Sequence, residues 1–486
     1  MIYRLRPYQE DCVKSISDYI NSDRRDPVLI VAPVAAGKSI LIAEAARLMG
    51  DKTLVLQPSR ELLTQNHDKI TSYGIPATIY SASCGKKELS NMIYATLGSI
   101  KKVVGQLKEM GIRNVLIDEA HAGYSPEDGS EFMTFMNELK PRKVIGLTAT
   151  PCRLKNMSIG QTSYSQLNFI TRMRPVYFKN LIHVIQVEEM IRQGFWTPLK
   201  YETWDFNGDA LKLNSNGSEY TAESISEAVR KNGLNNLILR RLMVLKDVCR
   251  SILVFMDSVE SCNTAAEWMN AKICAGMAEV VHGGTPKKQR EAIVERFKSG
   301  KTKVVFNYSA LGTGFDHPGL DCVIVGRPTF SFSSFYQWLG RAVRIKDGKD
   351  SALVVDCCNN SSRFGDIRKL SIENYKGYGW GMFIGDKLIT NIPMGDKVTK
   401  TDLDIKAAKK DRRRGLAQGI TASPVPGRPD HPLGSTVMTF GKYSGWMLHS
   451  IPVSYFKFIN EIFDWDNDKN KEIKEYIDFL IKNNRL

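Results

Sequence analysis

The sequence predicts an α/β protein with two parallel-sheet domains in tandem and a small α+β domain at its C-terminal end. Three observations support this fold class. Short apolar runs alternate with helical patterns over residues 28–150, and a second series of the same kind covers residues 252–355. Such alternation is typical of βαβ units and of a parallel sheet. After about residue 365 the composition changes, because glycines there interleave with aromatic residues.

The first domain is predicted to open with an apolar strand and a helix over residues 40–49, which Gly50 can end. Its predicted strands are Val28–Val31, Thr53–Leu56, Met92–Thr96, Val115–Ile117 and Val144–Leu147. In the second domain, Thr285 is predicted to cap a helix that has Pro286 in its first turn and ends before Gly300. The predicted strands there are Ile252–Met256, Lys303–Phe306, Cys322–Val325 and Ala352–Val355. Residues 152–230 follow no regular pattern.

Three further parts are predicted after residue 365. The glycines from Gly377 to Gly385 predict a small β-hairpin region, the run Lys406–Arg414 is basic, and Ser423–Gly427 has the composition of a linker. An amphipathic helix closes the chain, with predicted core residues Ile473, Tyr476, Ile477, Leu480 and Ile481. The predicted domains therefore cover residues 1–200, 225–365, 366–430 and 431–486.

The charge balance indicates a polyanionic partner. The formal net charge is +15, and nucleic acid is the commonest partner of so basic a chain. No apolar run approaches the roughly 20 residues that a membrane helix needs, and the first residues lack the apolar core of a signal peptide. Nine dispersed cysteines form neither the C-x-x-C pairs of a zinc site nor an even disulfide framework. We therefore expect a cytoplasmic protein that does not bind a membrane.

Residues 32–39 lie between a predicted strand and a predicted helix, which is the context of a phosphate-binding loop. In such a loop, backbone N–H groups and the helix N-terminus point at the phosphates. The ammonium of Lys38 would lie between the β- and γ-phosphates, and the Ser39 hydroxyl would be a ligand of Mg²⁺. The predicted loop residues are Ala32, Pro33, Val34, Ala35, Ala36, Gly37, Lys38 and Ser39.

A second motif, Asp118-Glu119-Ala120-His121, follows another apolar run, at the strand end where open α/β sheets bind ligands. Asp118 is predicted to hold Mg²⁺ through water, and Glu119 to bind at the metal and to orient and deprotonate the attacking water. His121 is expected to form hydrogen bonds, because no second histidine follows at zinc-site spacing. The two motifs together predict binding and hydrolysis of ATP with Mg²⁺.

The ordered series of motifs over residues 1–365 resembles superfamily-two helicases of the DEAH-box type. In chain order the matching segments are Leu5–Gln9, Ala32–Ser39, Pro58–Leu62, Thr96–Ser99, Asp118–His121, Thr148–Thr150, Val281–Gly283, Ala310–Asp316 and Gln337–Arg344. The resemblance implies that the two parallel-sheet domains are RecA-like. Outside the loop, the residues it implies for nucleotide binding are Arg6, Gln9, Gly314 and Asp316, with Gln9 reading the base edge. The residues it implies for backbone contacts with nucleic acid are Arg60, Gly98, Ser99, His282 and Thr313.

Arg341 and Arg344 are the catalytic residues expected from the second domain. They are three residues apart on a predicted helix, so their side chains project from neighbouring positions. Two guanidinium groups from a second domain can complete a γ-phosphate site only when the domains close, and such an arginine finger contributes on the order of 10³–10⁵ in rate. The loop departs from the family pattern at Val34-Ala35, where Thr-Gly is usual, and alanine adopts positive φ less readily than glycine. Turnover is still expected, because Lys38 and Glu119 are present.

DNA, single-stranded or branched, is the expected partner. Leu5–Gln9 and Phe195–Pro198 resemble DNA repair and branch-migration helicases and restriction-enzyme motors more than RNA helicases. The leading prediction is therefore an ATP-dependent DNA helicase or translocase, associated with nucleoid or viral DNA. Two alternatives remain open at this point: an RNA helicase, and a nucleic-acid-binding scaffold that binds ATP as a switch with little turnover.

The segment Met438–Gly445, together with Ile451, Pro452 and Tyr455, resembles a small module with an F-G-K-Y-x-G signature. Tyr443 and Trp446 could stack on bases or form the core of this module. The core interpretation is the one we expect.

Overall fold

The computed structural model of the 486-residue chain describes residues 4–159, 162–311, 315–376, 378–407, 432–439, 441, 443–451, 453–462, 465, 470–483 and 485–486. The chain forms two compact units. The first is Met1–Tyr375 with Gly379–Val398, and the second is Lys376–Tyr378 with Thr399–Leu486. The first unit contains two lobes, each built around its own sheet.

The first lobe has an eight-stranded sheet in the order β10-β1-β7-β6-β2-β5-β3-β4, counted over the described residues. All neighbours are parallel except β3 and β4. The strands of this lobe, including the hairpin β8–β9 outside the sheet, are β1 Val28–Val31, β2 Thr53–Leu56, β3 Thr78–Ser81, β4 Lys86–Lys87, β5 Met92–Ala95, β6 Asn114–Ile117, β7 Lys143–Thr148, β8 Cys152–Ile159, β9 Thr162–Phe169 and β10 Asn180–Val184. Its helices are α1 Pro7–Asn21, α2 Lys38–Met49, α3 Arg60–Thr71, α4 Leu97–Ile100, α5 Val104–Glu109, α6 Glu131–Leu139 and α7 Val187–Arg192.

The second lobe has six parallel strands in the order β11-β16-β15-β12-β14-β13, again counted over the part of the chain that is described. They are β11 Leu199–Thr203, β12 Ile252–Phe255, β13 Ala278–His282, β14 Val304–Tyr308, β15 Cys322–Val325 and β16 Ala352–Asp356. The helices are α8 Ala222–Lys231, α9 Leu234–Val248, α10 Val259–Lys272, α11 Lys287–Lys298, α12 Phe332–Leu339 and α13 Asn360–Phe364. An antiparallel meander of β17 Leu370–Tyr375, β18 Gly379–Ile384 and β19 Lys387–Leu388 follows, and β20 Val398–Thr399 lies at the boundary between the units.

One apolar core is shared by the two lobes. Leu29 and Ile117 from the first sheet belong to the same cluster of buried residues as Leu253 and Phe255 from β12. Ile252, the neighbour of Leu253, belongs instead to a second cluster. Successive side chains of a strand point to opposite faces of the sheet. One face of the second sheet therefore packs toward the first lobe, and the other face is covered by its own helices.

Several sequence-based predictions differ from the structure at their edges. β1, β2 and β15 begin and end as predicted, whereas the other predicted strands differ by one or two residues at their ends. The strands β3, β10, β11 and β13 and the hairpin β8–β9 were not predicted. The physical reason is their incomplete burial: β3 alternates between partly and fully buried residues, and the side chains of β10 are at most half-buried.

The predicted capping of α11 was wrong. The helix begins at Lys287, and Pro286 occupies the position before its first turn. The Thr285 hydroxyl oxygen instead accepts a hydrogen bond from the backbone N–H of His282 at 3.0 Å. Thr285 therefore closes the turn after β13 and does not cap the helix.

The second unit has its own buried core, which includes Met438, Tyr443 and Tyr455 together with the predicted helix residues Ile473, Tyr476, Ile477 and Leu480. The helices are Val453–Ile462 and Lys471–Lys482, and residues 400–407 are also helical. Tyr443 is buried, as the core interpretation expects, whereas Trp446 is 40% exposed and Ile481, also expected in the core, is 44% exposed. Phe440, Lys442 and Pro452, residues 408–414 of the basic run and the linker Ser423–Gly427 lie outside the described residues.

All nine cysteines are free thiols. Among the described residues, every helix is too short or too polar to cross a lipid bilayer.

The α1 helix is held at its C-terminal end by a buried lysine of β7. Lys143 Nζ donates hydrogen bonds to the carbonyl oxygens of Tyr19, Ser22 and Arg24 at 2.8, 2.7 and 2.7 Å. The ammonium also lies 4.6 Å from the centre of the Tyr19 ring. Tyr19 and Ser22 belong to the end of the helix, where intrahelical donors are lacking, and Arg24 belongs to the segment that follows.

We expect Lys143→Met to lower the free energy of unfolding by about 1–3 kcal/mol, because three carbonyl oxygens at the end of α1 each lose one donor. Thermal unfolding followed by circular dichroism measures the effect as a lower Tm. Lys108→Met, at an exposed position of α5, is the matched control and should leave Tm unchanged. Equal Tm values for both variants would contradict this role of Lys143.

Candidate functional site

The phosphate loop lies between β1 and α2, where the sequence predicts it. Gly37 has a φ of +83° and Ala35 a φ of +65°, so the chain turns twice through left-handed conformations before α2 begins at Lys38. Left-handed backbone costs an L-residue with a Cβ about 1–2 kcal/mol, and Ala35 carries this cost where glycine would not. The departure from the family pattern is therefore accommodated by a strained alanine.

The side chain of Gln9 in α1 forms a hydrogen bond with the phosphate loop. Its amide Nε2 donates to the carbonyl oxygen of Ala36 at 2.8 Å, and its Oε1 accepts from the backbone N–H of Arg6 at 3.0 Å. The φ of Gly37 favours glycine, and a Cβ there would lie 2.5 Å from Gln9 Nε2 and would displace this amide from its contact with the loop. Gln9 is fully buried and does not line the cleft described below. The structure thus gives Gln9 a contact with the loop, and base reading stays a prediction.

Lys38 and Glu119 form a partly buried ion pair in the lining of a cleft described below. His121 Nδ1 lies 3.4 Å from Glu119 Oε2. Burial alone would raise the pKa of the Glu119 carboxyl, but the Lys38 ammonium and His121 outweigh it and hold this pKa below its usual range. Glu119 is therefore ionised at neutral pH.

Asp118 lies behind Glu119 in a buried hydrogen-bond network. Its Oδ1 accepts from the backbone N–H of Glu119 at 2.8 Å, and its Oδ2 accepts from Asn66 Nδ2 at 3.0 Å. Asn66 Nδ2 also donates to Gln57 Oε1 at 3.1 Å. Burial and the adjacent Glu119 carboxylate raise the pKa of Asp118. Since Asn66 belongs to α3, this helix is joined directly to the predicted metal-binding carboxylate.

The arginine segment, residues 340–345, follows the end of α12, so the prediction that Arg341 and Arg344 lie on a helix was wrong. Arg341 Nη1 and Arg344 Nη1 both donate to the carbonyl oxygen of Phe315, at 2.6 and 3.0 Å. Arg344 also pairs with Asp316 at 2.5 Å. Burial and the neighbouring Arg344 lower the pKa of Arg341 to about 9, so it remains charged at neutral pH.

The arginine segment meets the phosphate loop at Gly340. A Cβ on Gly340 would lie 2.6–2.8 Å from Val34 Cβ and its two methyl groups, so only glycine permits this approach. Trp196, between the lobes, donates from Nε1 to the Val34 carbonyl at 2.9 Å. Thr197 donates from its backbone N–H to the Val343 carbonyl at 2.8 Å and from its hydroxyl to the Arg344 carbonyl at 2.7 Å. The segment that connects the lobes therefore bonds to both sides of the contact.

A cleft of about 370 Å³ opens where the lobes meet. Of the predicted site residues it is lined by Arg6, Val34, Ala35, Gly37, Lys38, Ser39, Glu119, Asp316, Arg341 and Arg344. Asp118 and Gln9 lie behind this surface, and Ala32, Pro33 and Ala36 are buried loop residues. Its charged lining comprises five basic side chains, including Lys69, and two carboxylates, counted over the described residues. The cleft is therefore suited to a polyphosphate.

The sequence did not predict that Phe195, named above only within a resembling segment, and Ser333 would lie at this site. Phe195 lines the cleft and lies 4.6 Å beneath the Arg6 guanidinium. Ser333 of α12 lies 3.3 Å from His121 Nε2 and 3.1 Å from the Thr150 hydroxyl, while His121 Nδ1 lies 2.8 Å from the Thr148 hydroxyl. This relay joins the second motif and the Thr148–Thr150 segment to the second lobe. The expectation that His121 forms hydrogen bonds is met by this geometry.

The predicted nucleic-acid contacts are dispersed. Arg60 is exposed on α3 and lines a groove of about 860 Å³, whose other wall is formed by α11. Gly98 is exposed, whereas the Ser99 hydroxyl accepts from the Ala82 backbone N–H at 3.0 Å. His282 Nδ1 accepts from the backbone N–H of Gly284 at 3.1 Å. Thr313 and Gly314 lie outside the described residues.

Both lobes match known domain families. Residues 2–153 match the family described as "Type III restriction enzyme, res subunit", and residues 235–346 match the family described as "Helicase conserved C-terminal domain". The first match contains the phosphate loop and the second contains Arg341 and Arg344.

Individual relatives are distant. A 51.5 kDa protein of a Lactococcus phage (isolate 7-9) is 25% identical over 68% of this chain and 65% of that protein. The DNA 3′-5′ translocase XPB2 of Sulfurisphaera tokodaii is 24% identical over 72% of this chain and 80% of that protein. The type ISP restriction-modification enzyme LlaBIII bound to DNA has a similar fold, with a TM-score of 0.54 and 15% identity over 89% of this chain and 32% of that chain. The chain spans about half to two thirds of the length of the first relatives it matches.

We expect Gly340→Ala to reduce nucleotide hydrolysis by up to about 100-fold, because the added methyl group separates the arginine segment from the loop. Released phosphate measures the effect. The double variant Val34→Gly/Gly340→Ala also removes the Val34 side chain that the new methyl group would contact. It should therefore restore most of the activity. If Gly340→Ala hydrolyses as fast as the unaltered protein, the close approach is not needed for turnover.

Proposed function

We propose that this chain, which carries both conserved domains of a superfamily-two helicase, is an ATP-dependent DNA helicase or translocase of the DEAH-box type. One observation carries the proposal. Lys38 and Glu119 from the first lobe line the same cleft as Arg341 and Arg344 from the second. Groups from two lobes that act on one phosphate tie hydrolysis to lobe closure. Repeated closure and opening would then move the lobes along DNA.

ATP is proposed to bind with its phosphates on the loop and the α2 N-terminus, where backbone N–H groups and the helix dipole favour anions. Arg6 and Phe195 line the same cleft and offer a cationic and an aromatic surface to the base. The Lys38 ammonium, close to the loop, is the proposed contact of the terminal phosphates. The basic excess of the lining supports a triphosphate as ligand.

The donor set at the loop fits Mg²⁺, which prefers oxygen ligands and is usually bound by one or two carboxylates plus substrate phosphates. The Ser39 hydroxyl and the carboxylates of Asp118 and Glu119 supply such oxygens. Each oxygen of Asp118 accepts one hydrogen bond from the protein and retains capacity for a metal-bound water. Bound there, Mg²⁺ would neutralise charge on the phosphate oxygens.

The proposed chemistry needs one general base and two cations. Glu119 is ionised and can orient a water molecule and accept its proton. Arg341 and Arg344 stabilise the negative charge that develops on the transferred phosphoryl group. The relay from His121 through Ser333 to Thr150 gives the second lobe a direct contact with the catalytic strand end. This contact supports coupling between hydrolysis and lobe position.

DNA is the proposed partner. The net charge of +15 and the exposed Arg60 beside the large groove support a nucleic-acid track. α3 carries Arg60 at its N-terminal end and Asn66, the partner of Asp118, six residues further along. A shift of α3 on binding a polynucleotide would therefore reach the metal site. The similarity to a protein named as a DNA 3′-5′ translocase supports DNA over the alternative of an RNA helicase. The similarity to a phage protein supports viral DNA as one such partner.

We expect Lys38→Ala and Glu119→Gln to abolish DNA-stimulated ATP hydrolysis, and Arg344→Ala to reduce it on the order of 10³-fold or more. The lysine and arginine variants lose charge at the phosphates, and the glutamine variant loses the base. Phosphate release in steady state is the measurement, with exposed Arg25→Ala as control. Equal phosphate release by the unaltered protein, Lys38→Ala and Glu119→Gln would favour the switch-like scaffold.

We expect Arg60→Ala to weaken DNA binding and to reduce the slope of log Kobs against log salt by about 0.7–0.9, because one phosphate contact is lost. Fluorescence anisotropy over a salt series measures the slope, with Arg25→Ala as the charge-matched control.

Single-stranded, duplex, forked and four-way DNA are compared with RNA in the same ATPase assay. Stimulation by RNA alone would replace the DNA proposal with the RNA helicase.

A further inference from the structure

Two backbone carbonyls of the arginine segment accept hydrogen bonds from a side chain outside the segment. α12 ends at Leu339, so the backbone carbonyls of the residues that follow lack the hydrogen-bond donors that a continuing helix would supply. Lys349 Nζ donates to the carbonyl oxygens of Ala342 at 2.6 Å and Arg344 at 2.8 Å. The same ammonium donates to the Pro318 carbonyl at 3.1 Å. One side chain thus ties the arginine segment to the loop that contains Phe315, the acceptor of both arginines.

We infer that Lys349 is a positioning residue. It holds Arg341 and Arg344 in place for catalysis through hydrogen bonds to the backbone carbonyls on either side of Val343. Lys349 belongs to none of the segments that resemble helicase motifs, and it is not among the described residues that line the cleft. It therefore acts through the arginines. The inference rests on the proposed function, because it assigns the lysine to the arginine finger of that reaction.

The charge of Lys349 is retained at a cost. Burial, together with the nearby cations Arg344 and Lys346, lowers the pKa of Lys349 to about 8, although Asp321 acts in the opposite direction. A neutral polar side chain would avoid the repulsion from Arg344. An ammonium group, however, has three N–H donors, and three carbonyl oxygens surround it here. The fit of donors to acceptors accounts for a lysine beside two arginines.

The effect on the reaction follows from geometry. With Lys349 removed, Ala342 and Arg344 lose a donor for their buried or partly buried carbonyls, and the segment is free to relax. Displacement of a catalytic group by about 1 Å can lower turnover about 100-fold. The hydrogen bonds from Thr197 to the Val343 and Arg344 carbonyls remain, so we expect the segment to shift and not to unfold. The loss should therefore fall on kcat and leave nucleotide binding nearly intact.

The test compares Lys349→Met, Lys349→Gln and Lys349→Arg in the full chain with DNA present. We expect Lys349→Met to lower kcat about 10–100-fold with the Kd for ATP within about threefold. Lys349→Gln keeps two donors and should lie between Lys349→Met and the unaltered protein, while Lys349→Arg keeps the charge and most of kcat. Lys346→Met removes the same charge from an exposed neighbour and is the control. Tm is measured for every variant, so that a folding defect is recognised.

A kcat for Lys349→Met within twofold of the unaltered protein would overturn the inference and leave the proposed function intact. So would a loss of kcat accompanied by an equal loss in Lys346→Met, since that result would assign the effect to charge alone. If Lys349→Met does not fold, Lys349→Gln decides by the same criterion. If the unaltered protein itself shows no ATP hydrolysis, the proposed function fails and the role of Lys349 fails with it.

Discussion

The close approach of Val34 to Gly340 is the contact on which the rest of the site depends. Because position 340 has no Cβ, the phosphate loop and the arginine segment meet without a spacer, and their side chains face one cavity. Trp196 and Thr197 bond to the backbone on both sides of this contact. The apolar core that both sheets share extends beneath it. The position of the arginines is therefore set by packing and by backbone hydrogen bonds before any ligand contributes.

Most charges at the site have a defined partner, which is the condition for burying them. Glu119 is paired with Lys38, Asp118 is bonded to Asn66, and Arg344 is paired with Asp316. The cleft lining carries more basic than acidic side chains, and a bound polyphosphate would balance this excess of positive charge. These paired charges fix the geometry of the site before a ligand binds. The reaction therefore requires less reorganisation of the surrounding groups.

Local sequence patterns determined part of this structure, and long-range contacts determined the rest. Continuous apolar runs predicted β1, β2 and β15, because strands buried on both faces read as uninterrupted hydrophobic segments. The half-exposed β10 and the polar hairpin β8–β9 have no such signal. The phosphate loop and the Asp118–His121 motif could be located because each lies on one short stretch of chain. The contacts of Asn66 with Asp118 and of Trp196 with Val34 join residues 52 and 162 positions apart, and no spacing rule predicts them.

The left-handed Ala35 has a consequence for protein engineering. Alanine codons become glycine codons by a change of their second base alone, so the residue best suited to this φ is a single point mutation away. Relief of about 1 kcal/mol is a noticeable share of the 5–15 kcal/mol by which folded domains are stable. A laboratory selection for heat tolerance would find an early gain at this codon, in the wall of the nucleotide cleft and not on the surface where stabilising changes are usually sought.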